Sequence, residues 1–203
     1  MTPIPSKDDF AYYAETYFRV KNKAVEVGAY RGEFAKNSLK TWRGEYFLVD
    51  TWAHRKDDEL MGLHDKNHFL EEEWEEIYQA AKSSGGILLK GYSVDMAKTF
   101  EDGSLDWVFI DAGHDYVNFT KDVFAWWPKL REGGLFSGDD YGLCSDSQVL
   151  YPLTVRRWET QFSGVARTYK WGTALGINQF CENNRLDLHI TYLDKVPSWY
   201  LIK

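Results

Sequence analysis

The stretch Val25-Glu26-Val27-Gly28-Ala29-Tyr30-Arg31-Gly32 sets the fold of this 203-residue chain. An apolar run from Ala24 to Val27 stops at Gly28, and helical character resumes over Arg31 to Lys40. That pattern reads as strand, glycine turn, helix, the unit at whose carboxyl edge an open α/β sheet binds its ligand. Gly28 permits the tight turn and Gly32 permits close approach of a ligand or helix to the backbone. A dinucleotide fingerprint needs a glycine two residues after Gly28, where Tyr30 stands, so a pyrophosphate would be poorly cradled.

Outward from this turn, strand and helix keep alternating. Ser6-Lys7-Asp8-Asp9 reads as a capping box opening a helix that runs to about Arg19. Tyr46 to Val49 is a second strand ended by Asp50, and an acidic helix over roughly Asn67 to Lys82 stops at Gly85-Gly86. Ile87 to Leu89 is a third strand, followed by a short helix over Val94 to Phe100. Trp107 to Ile110 is a fourth strand, ended by Asp111, and Tyr116 to Trp127 is helical until Pro128 and Gly133-Gly134 break it. Leu135-Phe136 begins a fifth strand running into Asp139-Asp140. Five alternations with continuous apolar strands predict an α/β fold built on a parallel sheet covered by helices on both faces. Beyond Tyr141, a helix near Thr154 to Phe162 and a β-rich tail (Ala174 to Phe180, Leu188 to Leu193, Trp199 to Ile202) are expected. No linker-like segment divides residues 1–203, which reads as one domain.

Composition narrows the function. With 31 acidic and 24 basic residues the net charge is −7, against the basic excess of nucleic-acid binders, so no nucleic-acid partner is expected. No stretch approaches the roughly 20 apolar residues of a membrane span. Residues Met1 to Lys7 lack the apolar core of a secretory signal. The two cysteines, Cys144 and Cys181, make no disulfide framework, which places the chain in a reducing cytoplasm. A homo-oligomer is compatible with the sequence, which does not set the state. Aromatic residues reach 17%, as core mass or as flat pocket walls.

The acids around the first turn describe a ligand. Glu26 suits a cationic end such as an amino-acid ammonium, and Asp50 ends the second strand where a carboxylate can take both hydroxyls of a ribose. Ribose plus ammonium without pyrophosphate describes S-adenosylmethionine. Glu26-x-Gly28-x-x-x-Gly32 with Asp50 resembles the first two motifs of class I S-adenosylmethionine-dependent methyltransferases. Asp106 to Tyr116 looks like that family's fourth strand and following loop, and Pro128 to Tyr141 like its fifth strand. The resemblance covers about Val25 to Tyr141 and implies a doubly wound, mostly parallel seven-stranded sheet with helices on both faces, with cofactor contacts from Glu26, Gly28, Gly32, Asp50 and Asp111. Ser93 resembles the position beside the adenine, and reads equally well as a helix N-cap.

Asp111 with Asp139-Asp140 is similar to the macrolide and aminocoumarin sugar O-methyltransferases. In that group the fourth-strand acid and the tandem acids hold a divalent metal, usually Mg2+. The resemblance therefore implies metal ligands Asp111, Asp139 and Asp140, and an acceptor that is a small sugar or glycan. It extends to small methyltransferases of chlorella-virus glycan gene sets, where methyl groups cap rhamnose; for a viral chain the compartment is the host cytoplasm. Three such carboxylates repel one another unless a cation sits among them. Adjacent residues of an ideal strand face opposite ways, so Asp139 and Asp140 can share an ion only past the strand end, which Gly138 permits. His114, beside Asp111 at the catalytic centre, is the candidate general base, since an imidazole ordinarily titrates near working pH. Related sugar enzymes carry an acid one residue earlier, where Gly113 stands, and Asp115 is the reserve. A catechol or other phenol is the alternative acceptor. Acceptor contacts are expected from Leu143 to Leu153 and from Trp52 or Trp171, with Trp52 to Asn67 a lid or loop. His64 and His68 lack the glutamate of a zinc protease motif, and Glu71 to Glu76 is a solvated helix face.

Overall fold

A computed structural model of the chain describes residues 3–53, 71–141 and 172–203. Its seven strands are β1 (Lys23–Val27), β2 (Glu45–Asp50), β3 (Ile87–Lys90), β4 (Leu105–Ile110), β5 (Leu130–Gly138), β6 (His189–Ile190) and β7 (Trp199–Ile202). They form one sheet in the order β3-β2-β1-β4-β5-β7-β6. The first five run parallel, and β7 is antiparallel to both β5 and β6. This is the doubly wound, mostly parallel seven-stranded sheet expected.

Six described helices cover the sheet: α1 (Phe10–Tyr13), α2 (Glu33–Ser38), α3 (Glu71–Lys82), α4 (Ser93–Ala97), α5 (Tyr116–Trp126) and α6 (Thr173–Asn184). A 3-10 turn at Lys7–Asp9 leads into α1 and a π turn at Ala14–Phe18 follows it, so the expected first helix is present with mixed winding. Ser6 caps it, its hydroxyl accepting from the Asp8 N–H at 3.3 Å.

Each central strand feeds two cores because successive side chains face opposite ways. Ala24, Leu48, Trp107, Phe109 and Leu135 pack with Phe10, Ala14, Ala35, Ile77 and Ala81 on one face. Val25, Val27, Val108, Ile110 and Phe136 pack with Phe119, Val123, Trp126, Ile177 and Phe180 on the other. Burial on both faces explains why these strands read as unbroken apolar runs.

Three expectations change. Ala174 to Phe180 is helix, not strand: the buried Thr173, Gly176, Ile177, Phe180 and Cys181 recur at the 3.6-residue period. Gly133-Gly134 does not precede the fifth strand but lies inside it, with Gly133 at φ 69° and its N–H donating to the Lys203 carbonyl at 2.7 Å. The strand expected over Leu188 to Leu193 shortens to two residues. The helix expected near Thr154 to Phe162, the start of the acidic helix, His64, His68 and Cys144 lie outside the described residues. Cys181 is buried, which pushes its thiol up to about 12, so it stays protonated and unreactive.

Candidate active site

The sheet order reverses between β1 and β4, where chain connections leave toward opposite sides and open a crevice. The ends of β1, β2 and β4 are tied to one another there. The Gly28 N–H donates to the Val49 carbonyl at 2.8 Å, and the Asp111 N–H to the Val27 carbonyl at 2.7 Å. Gly28 lies at φ 90°, and a Cβ there would fall 2.0 Å from the Asp111 carbonyl oxygen. Only glycine allows β1 to turn this close beneath β4. Gly32, also left-handed at φ 72°, starts α2.

Asp50 is fixed from both sides. Its Oδ2 accepts from the Tyr30 N–H at 2.9 Å and its Oδ1 from the Trp52 N–H at 3.0 Å. The Trp52 indole N–H closes the loop by donating to the Tyr30 carbonyl at 2.8 Å. Tyr30 and Trp52 hold φ of 45° and 42°, a left-handed conformation uncommon outside glycine and concentrated at functional turns. Each Asp50 oxygen keeps a further lone pair for a ligand hydroxyl. Trp52 is 1% exposed and stacks edge-on against Tyr78, which helps to shape the turn.

Glu26 is the penultimate residue of β1. It is 2% exposed, and its Oε2 accepts from the Tyr46 hydroxyl at 3.0 Å. Burial holds its carboxyl well above the usual range, reinforced by the charges of Asp111 and Asp50 and opposed by the Tyr46 bond. The carboxyl expected to receive an ammonium is thus buried and bonded to a phenol. Ser93 is the first residue of α4, with Tyr92 as N-cap, so the capping alternative does not hold. Its hydroxyl accepts from the Trp126 indole N–H at 2.8 Å and keeps its own proton for a ligand.

At the ends of β4 and β5 the acids separate. Asp139 still follows the strand, its N–H donating to the Ile110 carbonyl at 3.0 Å. Asp140 turns left-handed at φ 57°. The turn brings Asp140 Oδ2 within 3.1 Å of His114 Nδ1. One ligand atom from each of Asp111, His114 and Asp140 falls within 4.8 Å of the others. Asp139 does not join this group: its Oδ1 accepts from the buried Ser198 hydroxyl at 2.6 Å, and its Oδ2 takes the Lys7 ammonium. The tandem acids part because Asp139 keeps the strand's pairing while Asp140 turns left-handed.

Burial, then the charges of Asp139 and Asp140, raise Asp111 to about 7, with His114 and Lys7 opposing. Burial also raises Asp140, with His114 opposing before the charge of Asp139 adds. Burial alone would lower the Lys7 ammonium, but the Asp139 bond and the charges of Asp139, Asp111 and Asp140 outweigh it and its pKa rises. Asp115, the reserve base, is committed to capping α5: its oxygens accept from the Asn118 N–H at 2.9 Å and Nδ2 at 2.8 Å.

The methyltransferase-domain family's sequence profile matches residues 25–141, more than half the chain and the span that holds β1 through β5. The chain belongs to this family. No curated protein matches it significantly in sequence. Among solved structures, a Corynebacterium glutamicum protein is similar at TM-score 0.64 and 14% identity, covering 99% of this chain and 82% of that one. The O-methyltransferase NovP is similar at TM-score 0.58 and 15% identity, over 89% of this chain and 71% of its own. A Bacillus cereus O-methyltransferase solved with S-adenosylhomocysteine is similar at TM-score 0.53 and 15% identity, over 97% and 80%. At these identities the likeness is one of fold.

In this methyltransferase four further residues shape the site, and of these the sequence pointed only to Trp52, as an acceptor contact. Tyr46 pairs Glu26, Trp52 fastens Asp50, Ser198 holds Asp139, and Lys7 brings a cation to the cluster. The Trp52 and Tyr46 roles depend on three-dimensional neighbours, and Lys7 is 132 residues from Asp139. Nothing in local pattern signals such a pairing.

Proposed function

We propose that this methyltransferase transfers the methyl group of S-adenosylmethionine to a hydroxyl of a sugar or glycan acceptor, assisted by a divalent cation. The observation that carries the reading is the meeting of Asp111, His114 and Asp140 beside the Gly28 turn and Asp50. Asp50 would take the ribose hydroxyls, Ser93 the adenine edge, and the Gly28 and Gly32 backbones the amino-acid portion. Glu26 would act through Tyr46 as a buried support for the turn. NovP and the Bacillus cereus protein carry the O-methyltransferase description, and the latter is bound to S-adenosylhomocysteine; both support O-transfer and the cofactor class.

His114 is the proposed proton acceptor. With Nδ1–H donated to Asp140, Nε2 carries the lone pair that takes the hydroxyl proton as the methyl group moves. Two hard carboxylate oxygens from Asp111 and Asp140, with an imidazole nitrogen beside them, fit a divalent ion such as Mg2+ or Mn2+. Such an ion supplies Lewis acidity that lowers the pKa of an alcohol. A second reading follows from the same 4.8 Å grouping: Nδ1 is a third ligand and His114 is not the base.

The test is methyl transfer from labelled S-adenosylmethionine to a panel of rhamnosides, other glycosides and catechols, with and without EDTA. The proposal expects turnover on a glycoside that EDTA suppresses and Mg2+ or Mn2+ restores. Turnover confined to catechols transfers the function to a phenol acceptor, and turnover indifferent to EDTA removes the ion. Mn2+ binding by His114→Gln separates the two histidine roles: retained affinity supports the base, lost affinity the ligand.

A further inference from the structure

Lys7 is presented to the carboxylate cluster by a strap that the rest of the fold holds in place. The Pro5 carbonyl accepts from the Tyr192 N–H at 3.0 Å and the Leu193 N–H at 2.9 Å. Asp194 then fastens the next two residues, accepting from the Ser6 hydroxyl at 2.5 Å and the Lys7 N–H at 2.9 Å, while Thr191 donates its hydroxyl to the same carboxylate at 2.6 Å. The far end of the lysine is fixed by the same part of the chain. Its ammonium bonds Asp139, whose other oxygen accepts from Ser198 at 2.6 Å. Ser198 is in turn held by Thr191, accepting from its N–H at 2.9 Å and donating its own N–H to its hydroxyl at 2.9 Å.

Lys7 is thus clamped to the segment linking β6 to β7 at both ends, directly at its backbone and through Asp139 at its ammonium. Asp139 is the acid the ammonium bonds, and Asp111 and Asp140 are near enough to interact with it through charge. An internal cation therefore stands beside the acids that the proposed function gives to a divalent ion, bonded to their neighbour Asp139. We propose that Lys7 is a tethered counter-cation of the carboxylate cluster, competing with the divalent ion for Asp111 and Asp140. It holds mutually repelling acids together when the ion is away and weakens the ion's grip, so that the ion exchanges readily. The proposal rests on the cation part of the reading above.

The test is Mn2+ titration of the full chain by calorimetry or electron paramagnetic resonance, with thermal melting as a folding check. Lys7→Gln, which removes the charge, is expected to bind Mn2+ at least about tenfold more tightly than the natural chain. Lys7→Arg, which keeps the charge, stays within about threefold. Asp194→Asn loosens the tether while leaving Lys7 intact, and is expected to tighten Mn2+ binding as well. Equal or weaker binding by Lys7→Gln, with Mn2+ still taken up by the natural chain, overturns the competition and leaves the cation reading standing. Absence of Mn2+ binding in every form overturns both.

Discussion

At Asp140 a single left-handed residue separates two neighbouring carboxylates, sending one to His114 and leaving the other with Ser198 and Lys7. The sequence placed three acids at this edge; it did not tell which would meet, because side-chain direction past a strand end depends on one φ angle. His114→Gln is expected to lower turnover by roughly 10²–10⁴-fold with little change in S-adenosylhomocysteine affinity, as loss of a positioned base does. An unchanged turnover number removes His114 from the chemistry. Asp111 adds a pH dependence. Its carboxyl is raised from 3.8 to about 7, first by burial and then by Asp139. At low pH the folded and unfolded chains both keep this proton. As pH rises the unfolded chain releases it first, so this residue's share of stability falls up to about pH 7. In ion-free protein, Asp111→Asn should therefore gain stability relative to the natural chain at about pH 8 and show little gain at about pH 4, read from denaturant midpoints. An equal effect at both values contradicts the assignment.

Among the elements, the β1 turn is where spacing was most informative, since Gly28 must sit under the Asp111 carbonyl and no other residue fits there. Gly28→Ala is expected to cost at least about 2 kcal/mol, combining a left-handed backbone with overpacking. A denaturant midpoint within error of the natural chain would show that β1 and β4 can separate. The start of β4 carries a second support that the sequence did not reveal. Asp106 is fully buried, accepting from the Lys21 and Asn22 N–H groups at 2.8 and 2.7 Å and from Arg131 Nε at 2.7 Å. Asp106→Ala leaves those donors unpaired and should cost about 3–5 kcal/mol, far from the site and with S-adenosylhomocysteine affinity of the folded fraction retained. The α6 segment shows where local pattern misled. Its Leu175, Ile177 and Phe180 resemble a strand by composition, while burial follows the helical period along one face.

Over the whole molecule, the parallel half of the sheet was legible because strands buried on both faces leave unbroken apolar runs between helices. The antiparallel β7 was placed at its correct residues, but its insertion between β5 and β6 rests on pairings such as Leu135 with Ile202, which no local pattern encodes. The Lys7 strap belongs to the same long-range class. Cofactor and catalytic candidates gather at the switch point because parallel strands deliver their carboxyl ends to one side. The central claim is that this edge binds S-adenosylmethionine through Asp50, and calorimetric titration with S-adenosylhomocysteine tests it most directly. The account predicts saturable binding to the natural chain that weakens roughly 10- to 100-fold in Asp50→Ala, the loss of charge-assisted bonds to both ribose hydroxyls. No heat with the natural chain, or equal affinity in the variant, would contradict it.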